Sequence, residues 1–219
     1  MCLIFDLLFC VDIFKPLFEC ALNPRKNPRL ERLLEDISGF DTVEDERKVD
    51  HRLKRIITPE MWTDEQNPPY FYYLYYFWRS IAILNFMRSQ RGHVPFTFRP
   101  HAGEGGSSEH MVSSFLIATG VSHGIVLTQL PGLEYLYYLC RIGISISPLS
   151  NNGLVMDYKD NPFPNFFRRG LNVALSTDAP LLFHFTERPL LEEYAIASRV
   201  NKNNYLIFYT LITIKIHFI

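Results

Sequence analysis

An α/β chain folded as part of a (β/α)8 TIM barrel is what the sequence predicts, on three observations. From about Val94 onward, short strand-like runs alternate with helical ones, and the connections between them are short. His101, Ser147 with Asn151, and Asp178 each fall at or just past the C-terminal end of such a run, and His123 lies within a fourth. Repeated βα units imply parallel strands with right-handed crossovers, in an open doubly wound sheet or a barrel. A barrel brings every strand end to one rim, whereas an open sheet concentrates its site at a switch point. Polar residues at three strand ends, with His123 in a fourth strand, favour the barrel, and about four βα units make half of one.

The elements follow in chain order. The apolar start, MCLIFDLLFCVDIF, lacks a basic leading region and is broken by Asp6 and Asp12, so it reads as a helix or strand edge rather than a signal peptide. From Phe14 towards Glu46 the apolar spacing is helical, and the acidic stretch DTVEDER (41–47) reads as a solvated loop or helix face that carries no chemistry. Pro68 to Gly92 opens with two prolines, puts aromatics on every face and closes on Arg91-Gly92, the pattern of a largely buried helix. An aromatic stripe of this kind is core more often than a base-stacking platform.

Four strand-then-helix units come next. VPFTFRPH is a strand, followed by the glycine turn AGEGG and a helix from about Ser108 to Thr119. GVSHGIVL is followed by the helix of GLEYLYYLCRIG, and ISISP by the loop LSNNG and a short helix in PFPNFFRRG. NVALS leads into the turn TDAP and a helix in RPLLEEYAIASRV. The end, YLIFYTLITIKIHFI, is shorter than the ~20 residues of a membrane span and contains Lys215, so it reads as an unpaired, adhesive strand rather than an anchor.

Composition narrows the function classes. The 219 residues are 47% hydrophobic and 21% charged, the balance of a globular chain with a sizeable core. A net charge of -1 provides no basic field to gather nucleic acid, and small-molecule chemistry fits better. Cys2, Cys10, Cys20 and Cys140 form no CxxC pair or dense framework, which fits a reducing compartment without disulfides.

The candidate chemistry lies at the strand ends. In HAGEGG, His101 is followed three residues on by Glu104 in a glycine turn that lets a backbone approach a ligand closely; imidazole can bind a metal and a carboxylate can give or take a proton. The bland alternative is a satisfied loop histidine and an exposed glutamate. His123, between Ser122 and Gly124, could be a structural strand histidine; an adjacent barrel strand would instead bring it near His101, where it could orient or deprotonate a metal-activated water. Asp178 in STDAP could simply cap a turn or helix, but a carboxylate with two imidazoles at neighbouring rims suits zinc or another first-row divalent ion. Metal-assisted hydrolysis is thus the leading reaction class. GxGxxG, GxxxxGK[ST], HExxH and the cytidine-type zinc signature are all missing; GVSHG matches GxSxG, but with the strand and helix in the wrong order for a nucleophile elbow.

FRPHAGEGG, VSHGIVL, ISISPLSNNG, NVALSTDAP and EEYAIA, in this order and spacing, resemble the adenosine and AMP deaminase family of metal-dependent hydrolases. SGFDTVEDE and NPPYFYYLYYFWRSIAILNFMRSQRG look like its AMP deaminase branch rather than its adenosine branch. The resemblance covers 14–200, leaving 1–13 and 201–219 as non-family ends. It implies a (β/α)8 barrel and one zinc ion per site. His101 and Asp178 would be zinc ligands, Glu104 the proton donor to the purine ring, and His123 the general base beside the activated water. Glu104, Ala179, Pro180, Leu181 and Leu182 would line the substrate pocket. The implied reaction is hydrolytic deamination of AMP to IMP and ammonia, in IMP salvage in the cytosol, by a homo-oligomer with neither nucleic-acid nor membrane partners.

Three departures qualify the expectation. None of the seven histidines forms the HxH pair that the family carries on its first barrel strand. Ala179 stands where the family has a second aspartate that contacts the purine. The upstream segment that grips phosphate and ribose has no counterpart here. A fragment with impaired activity is therefore expected. The alternatives are a non-catalytic interaction protein derived from a deaminase, and an adenosine-type deaminase.

Overall fold

The computed structural model describes residues 6–43, 45–48, 50, 58–62 and 67–200. The carboxy-terminal run 201–219, read above as an adhesive strand, lies outside them. No helix among the described residues is long and apolar enough to cross a membrane.

The chain opens with two helices, α1 (Asp6–Leu22) and α2 (Pro28–Asp36). α2 is fixed at its start by Pro28 and by Asn27, whose side chain accepts from the Leu30 amide at 3.2 Å. The expectation of helix throughout this stretch is corrected by a short strand, β1 (Gly39–Phe40). The aromatic helix, α3 (Tyr70–Ser89), follows. It is less buried than its composition suggests: Tyr70, Tyr72, Tyr73, Leu74, Ile81 and Leu84 face inward, while Phe71, Tyr75, Trp78, Ile83 and Phe86 are exposed. A helix with aromatics on every face gives no amphipathic signal to say which side stays open.

The second half alternates as expected. β2 (Thr97–Phe98) and β3 (His101–Ala102) precede α4 (Ser108–Ile117). β4 (Gly120–His123) leads through a 3-10 turn, Ile125–Gln129, to α5 (Pro131–Cys140), so GVSHGIVL is strand only in its first half. β5 (Gly143–Ile146) precedes α6 (Pro148–Leu154) and α7 (Phe163–Arg169); LSNNG, expected as a loop, lies within α6. β6 (Val173–Leu175) is followed by α8 (Pro180–Phe183) and α9 (Pro189–Val200).

All strand pairs are parallel: β1 with β2, and β3-β4-β5-β6 in sequence order. β2 and β3 are one run of chain interrupted at Pro100, which has no N–H to give. On one side of that run, the amides of Thr97, Arg99 and His101 donate to the carbonyls of Ser38, Phe40 and Thr42; on the other, Thr119, Ser122 and Gly124 donate to those of Phe98, Pro100 and Ala102. The four expected strands are thus joined by a fifth, β1, in one parallel array, with helices supplying the crossovers. Phe14 of α1, fully buried, packs on Phe40 of β1 and Phe77 of α3 at ring separations of 5.6 and 5.5 Å and ties the leading helices to the sheet.

Candidate active site

The carboxyl ends of β3, β4 and β6 converge. His101 opens the two-residue β3, one residue before the run ends; its Nε2 lies 3.6 Å from Asp178 Oδ1, just past β6, and its ring centre lies 4.9 Å from that of His123. One ligand atom from each of His101, His123 and Asp178 can be chosen so that all lie within 4.8 Å of one another. His123 and Asp178 are two of the three non-glycine residues with positive φ among the described residues, at 73° and 52°. That backbone costs about 1–2 kcal/mol per residue and persists where the surroundings over-determine it, as at functional sites.

The glycine turn carries Glu104 into the same space. At Gly103, φ 74°, an added Cβ would be strained and would fall 2.3 Å from Met111 Sδ, forcing that buried side chain to shift. Glu104 Oε1 is buried without a hydrogen-bond partner and lies 3.8 Å from His123 Nδ1. Burial first, and the Asp178 charge second, hold the Glu104 carboxyl above the usual carboxylate range, which suits a group that must carry a proton to a reactant.

Partners around these residues fix their charge states. Burial alone would disfavour a charged His101, but Asp178 on Nε2 and Asp41 on Nδ1, the latter at 3.0 Å, raise its pKa to about 10. Asp178 is held down to about 2 by its bond to His101 and, against the cost of burial, by Ser150, whose hydroxyl donates to Oδ2. His123, 1% exposed, is lowered to about 4, chiefly by burial and then by the nearby His101 charge, and is neutral at pH 7. Asn151 Nδ2 stands 3.0 Å from its Nδ1.

The donor set fits a divalent ion. Two ligands of a tetrahedral site with arms of about 2.0–2.1 Å stand about 3.3–3.5 Å apart, close to the 3.6 Å between His101 Nε2 and Asp178 Oδ1. The buried, unpartnered oxygen of Glu104 stands beside them, 3.8 Å from His123 Nδ1. The Asp41–His101 bond is the carboxylate–imidazole pairing that orients a metal-binding histidine.

Of the pocket-lining residues expected after Asp178, Ala179 is half-buried and caps α8, while Pro180, Leu181 and Leu182 are exposed, Leu181 almost wholly so at 99%. The sequence reading missed Asp41, Glu46 and Ser150. The acidic stretch is not the solvated, inert loop expected of it: Glu46 is 7% exposed, and its carboxylate accepts from the amides of Gly103 at 2.6 Å and Glu104 at 3.2 Å. His110 bridges Glu46 and Asp50 through its two ring nitrogens at 3.4 and 3.3 Å, and Asp50 in turn accepts from the Tyr70 amide at the start of α3. The close spacing of Asp41 and Glu46 behind a glycine-aromatic pair was the available signal.

Parallel strands that gather two imidazoles and two carboxylates at one rim define a strand-end site of part of an α/β barrel, with donors that suit a divalent ion. Comparison with known proteins narrows it. The family model described as AMP deaminase matches residues 5–207. AMP deaminase of Saccharomyces cerevisiae is 51% identical over 194 residues, covering 88% of this chain and 24% of the yeast protein, and AMP deaminase 3 of Rattus norvegicus is 50% identical over 193 residues, covering 87% and 25%. The chain therefore spans about a quarter of the length of the curated relatives it matches. Adenine deaminase from Arthrobacter aurescens superimposes with a TM-score of 0.52 at 21% identity, over 63% of this chain and 40% of that one, a likeness of fold alone. The chain belongs to the AMP deaminase family.

Proposed function

We propose that this chain is part of an enzyme that hydrolyses the 6-amino group of AMP to give IMP and ammonia. The observation that carries the reading is the 3.6 Å approach of His101 Nε2 to Asp178 Oδ1 at one strand-end rim, with His123 and Glu104 beside them. His101 and Asp178 would hold one zinc ion, which, when bound, lowers the pKa of a coordinated water to about 7 and so supplies a nucleophile at neutral pH.

The chain's own residues do the rest. Asp41 holds the His101 ring through Nδ1, and Ser150 holds Asp178 through Oδ2. Glu104, biased towards its protonated form by burial and by Asp178, gives its proton to a purine ring nitrogen, so that negative charge does not build up in the ring as the amino-bearing carbon becomes tetrahedral. His123, neutral at pH 7, is the general base beside the attacking water: it takes the water's proton, which then passes to the departing amino group as ammonia leaves. Ala179 to Leu182 flank the substrate. The reading places the enzyme in the cytosol, in IMP salvage, as a homo-oligomer that takes AMP as its small-molecule substrate without nucleic-acid or membrane partners.

Ala179, together with the lack of an HxH pair, favours a second reading: a non-catalytic interaction protein derived from a deaminase. Ammonia release from AMP and from adenosine, by the chain with added zinc and by a His101→Ala variant, separates the two, with the metal content of the purified protein measured alongside. AMP turnover that disappears in the variant supports the first reading. A chain that holds no zinc and releases no ammonia sinks it, and preference for adenosine moves the substrate assignment.

A further inference from the structure

α3 carries an aromatic face that stays open to solvent while its other sides are taken. Phe77 packs on Phe14 of α1 at a ring separation of 5.5 Å, and the Tyr70 hydroxyl pairs with Ser114 of α4 at 2.8 Å. The Asn85 side chain exchanges two hydrogen bonds, of 2.7 and 2.8 Å, with the backbone of Phe96, which leads into β2. α3 is the crossover between β1 and β2, so its remaining side points away from the sheet. Further barrel strands would extend the array beyond β1 or β6, and would not reach that side.

The open side is a stripe at helical spacing: Phe71, Tyr75, Trp78, Ala82 and Phe86, with Arg79 beside it. α3 contains no lysine and no acidic residue. Exposed aromatics with an arginine, and without Lys, Glu or Asp, are the composition of the centre of an interface rather than of a solvated helix face. Phe71, Tyr75, Trp78 and Phe86 are 51%, 46%, 37% and 67% exposed, which at about 200 Å² a side chain leaves about 400 Å² of aromatic surface in water. Tyr75 and Trp78 already lie against each other, with ring centres 6.0 Å apart, so little ordering remains to be done when a partner arrives.

The order of the stripe says what fits it. Laid antiparallel on itself about a two-fold axis between Trp78 and Arg79, the helix sets Phe71 against Phe86 of a second copy, Tyr75 against Ala82, and Trp78 against Arg79. These are ring on ring, large on small, and guanidinium over indole. Two copies would bury about 800 Å² of aromatic surface, and Arg79 and Ala82 carry the pair to the ~1,000 Å² that a specific interface needs. We propose that this face of α3 is a two-fold interface through which two copies of the chain associate. The pairing supplies the surface for the homo-oligomer of the deaminase reading, and does not depend on the reaction.

Sedimentation velocity of the full chain tests the pairing, with circular dichroism to show that each variant is folded; every substituted position lies on the exposed stripe. Wild type is expected to sediment as a dimer, and Trp78→Ala to weaken association about thirty-fold or more, the loss of one interface anchor. Two charge variants read the register. Ala82→Glu and Tyr75→Lys each bury a lone charge in the interface and should sediment as monomers when kept apart. Mixed in low salt they should form a dimer, because only the antiparallel register brings the new carboxylate of one copy to the new ammonium of the other. A monomeric wild type overturns the proposal. So does association that Trp78→Ala leaves unchanged, which places the contact elsewhere, as at the open edges of the sheet, and so does a mixture that stays monomeric. A dimer through α3 in a chain that releases no ammonia from AMP leaves the pairing standing and sinks the deaminase reading alone.

Discussion

Replacing Glu46 with alanine should unfasten the glycine turn. In the folded chain this buried carboxylate accepts from the amides of Gly103 and Glu104 and faces His110 Nδ1 at 3.4 Å. Hydrogen bonds to a charged group contribute about 1.5–3 kcal/mol each, and a buried amide left without a partner costs about 1–3 kcal/mol. These contributions are not additive, and breaking a buried charged cluster by removing one partner costs about 3–5 kcal/mol in all. Glu46→Ala should therefore lower unfolding stability by about that amount, and Glu46→Gln, which keeps one acceptor oxygen for Gly103, by about 1–2 kcal/mol. Urea titrations of the three proteins read the difference from the midpoint at constant slope. The loss should also depend on pH. Burial opposes charge on His110, but Glu46 and Asp50 on its two nitrogens outweigh it and raise its pKa above 6.5. A raised folded value means that the stabilisation is fully present below about pH 6.5 and fades as pH climbs through the folded value. The Glu46→Ala deficit should be largest below pH 6.5 and shrink above it. A deficit under about 1 kcal/mol in that acid range would refute the assigned clamp.

Other perturbations read neighbouring parts of the structure. Gly106→Ala would put a Cβ 1.6 Å from the Glu46 carbonyl oxygen at φ 72°, whereas Gly92→Ala, at φ 74°, meets nothing within 4 Å; thermal melts should show about 1 kcal/mol lost at Gly92 and clearly more at Gly106, and equal losses would contradict the close approach. Tyr70→Phe removes the hydroxyl that donates to the His101 carbonyl at 2.7 Å and pairs with Ser114 at 2.8 Å; denaturant titration should give a loss of about 1–3 kcal/mol, and none would mean that the hydroxyl is idle. Asp178, depressed to about 2 chiefly by His101, stabilises the metal-free fold above its unfolded value near 3.8, and that contribution is lost as pH falls through its folded value. Wild type should accordingly lose stability between about pH 4 and 2 that Asp178→Asn does not lose, a difference visible in acid titrations followed by circular dichroism.

The sequence by itself determined the alternation of strand and helix after Val94 and the placement of His101 and Asp178 at strand ends, with His123 in a strand whose end the structure fixes, because periodicity and turn chemistry are local. It also carried the family, through motifs whose order and spacing survive without any contact being known. Only the tertiary structure decided what those residues touch. β1 is two residues long, too short for a period-2 pattern to announce it, and it becomes a strand by pairing with a run of chain nearly sixty residues away. That pairing carries Asp41 to His101 and Glu46 to the Gly103–Glu104 turn, and so makes an acidic stretch that reads as solvated loop part of the site. The open face of α3 was likewise settled by neighbours distant in sequence, since burial belongs to the assembled surroundings of a residue and not to its own segment.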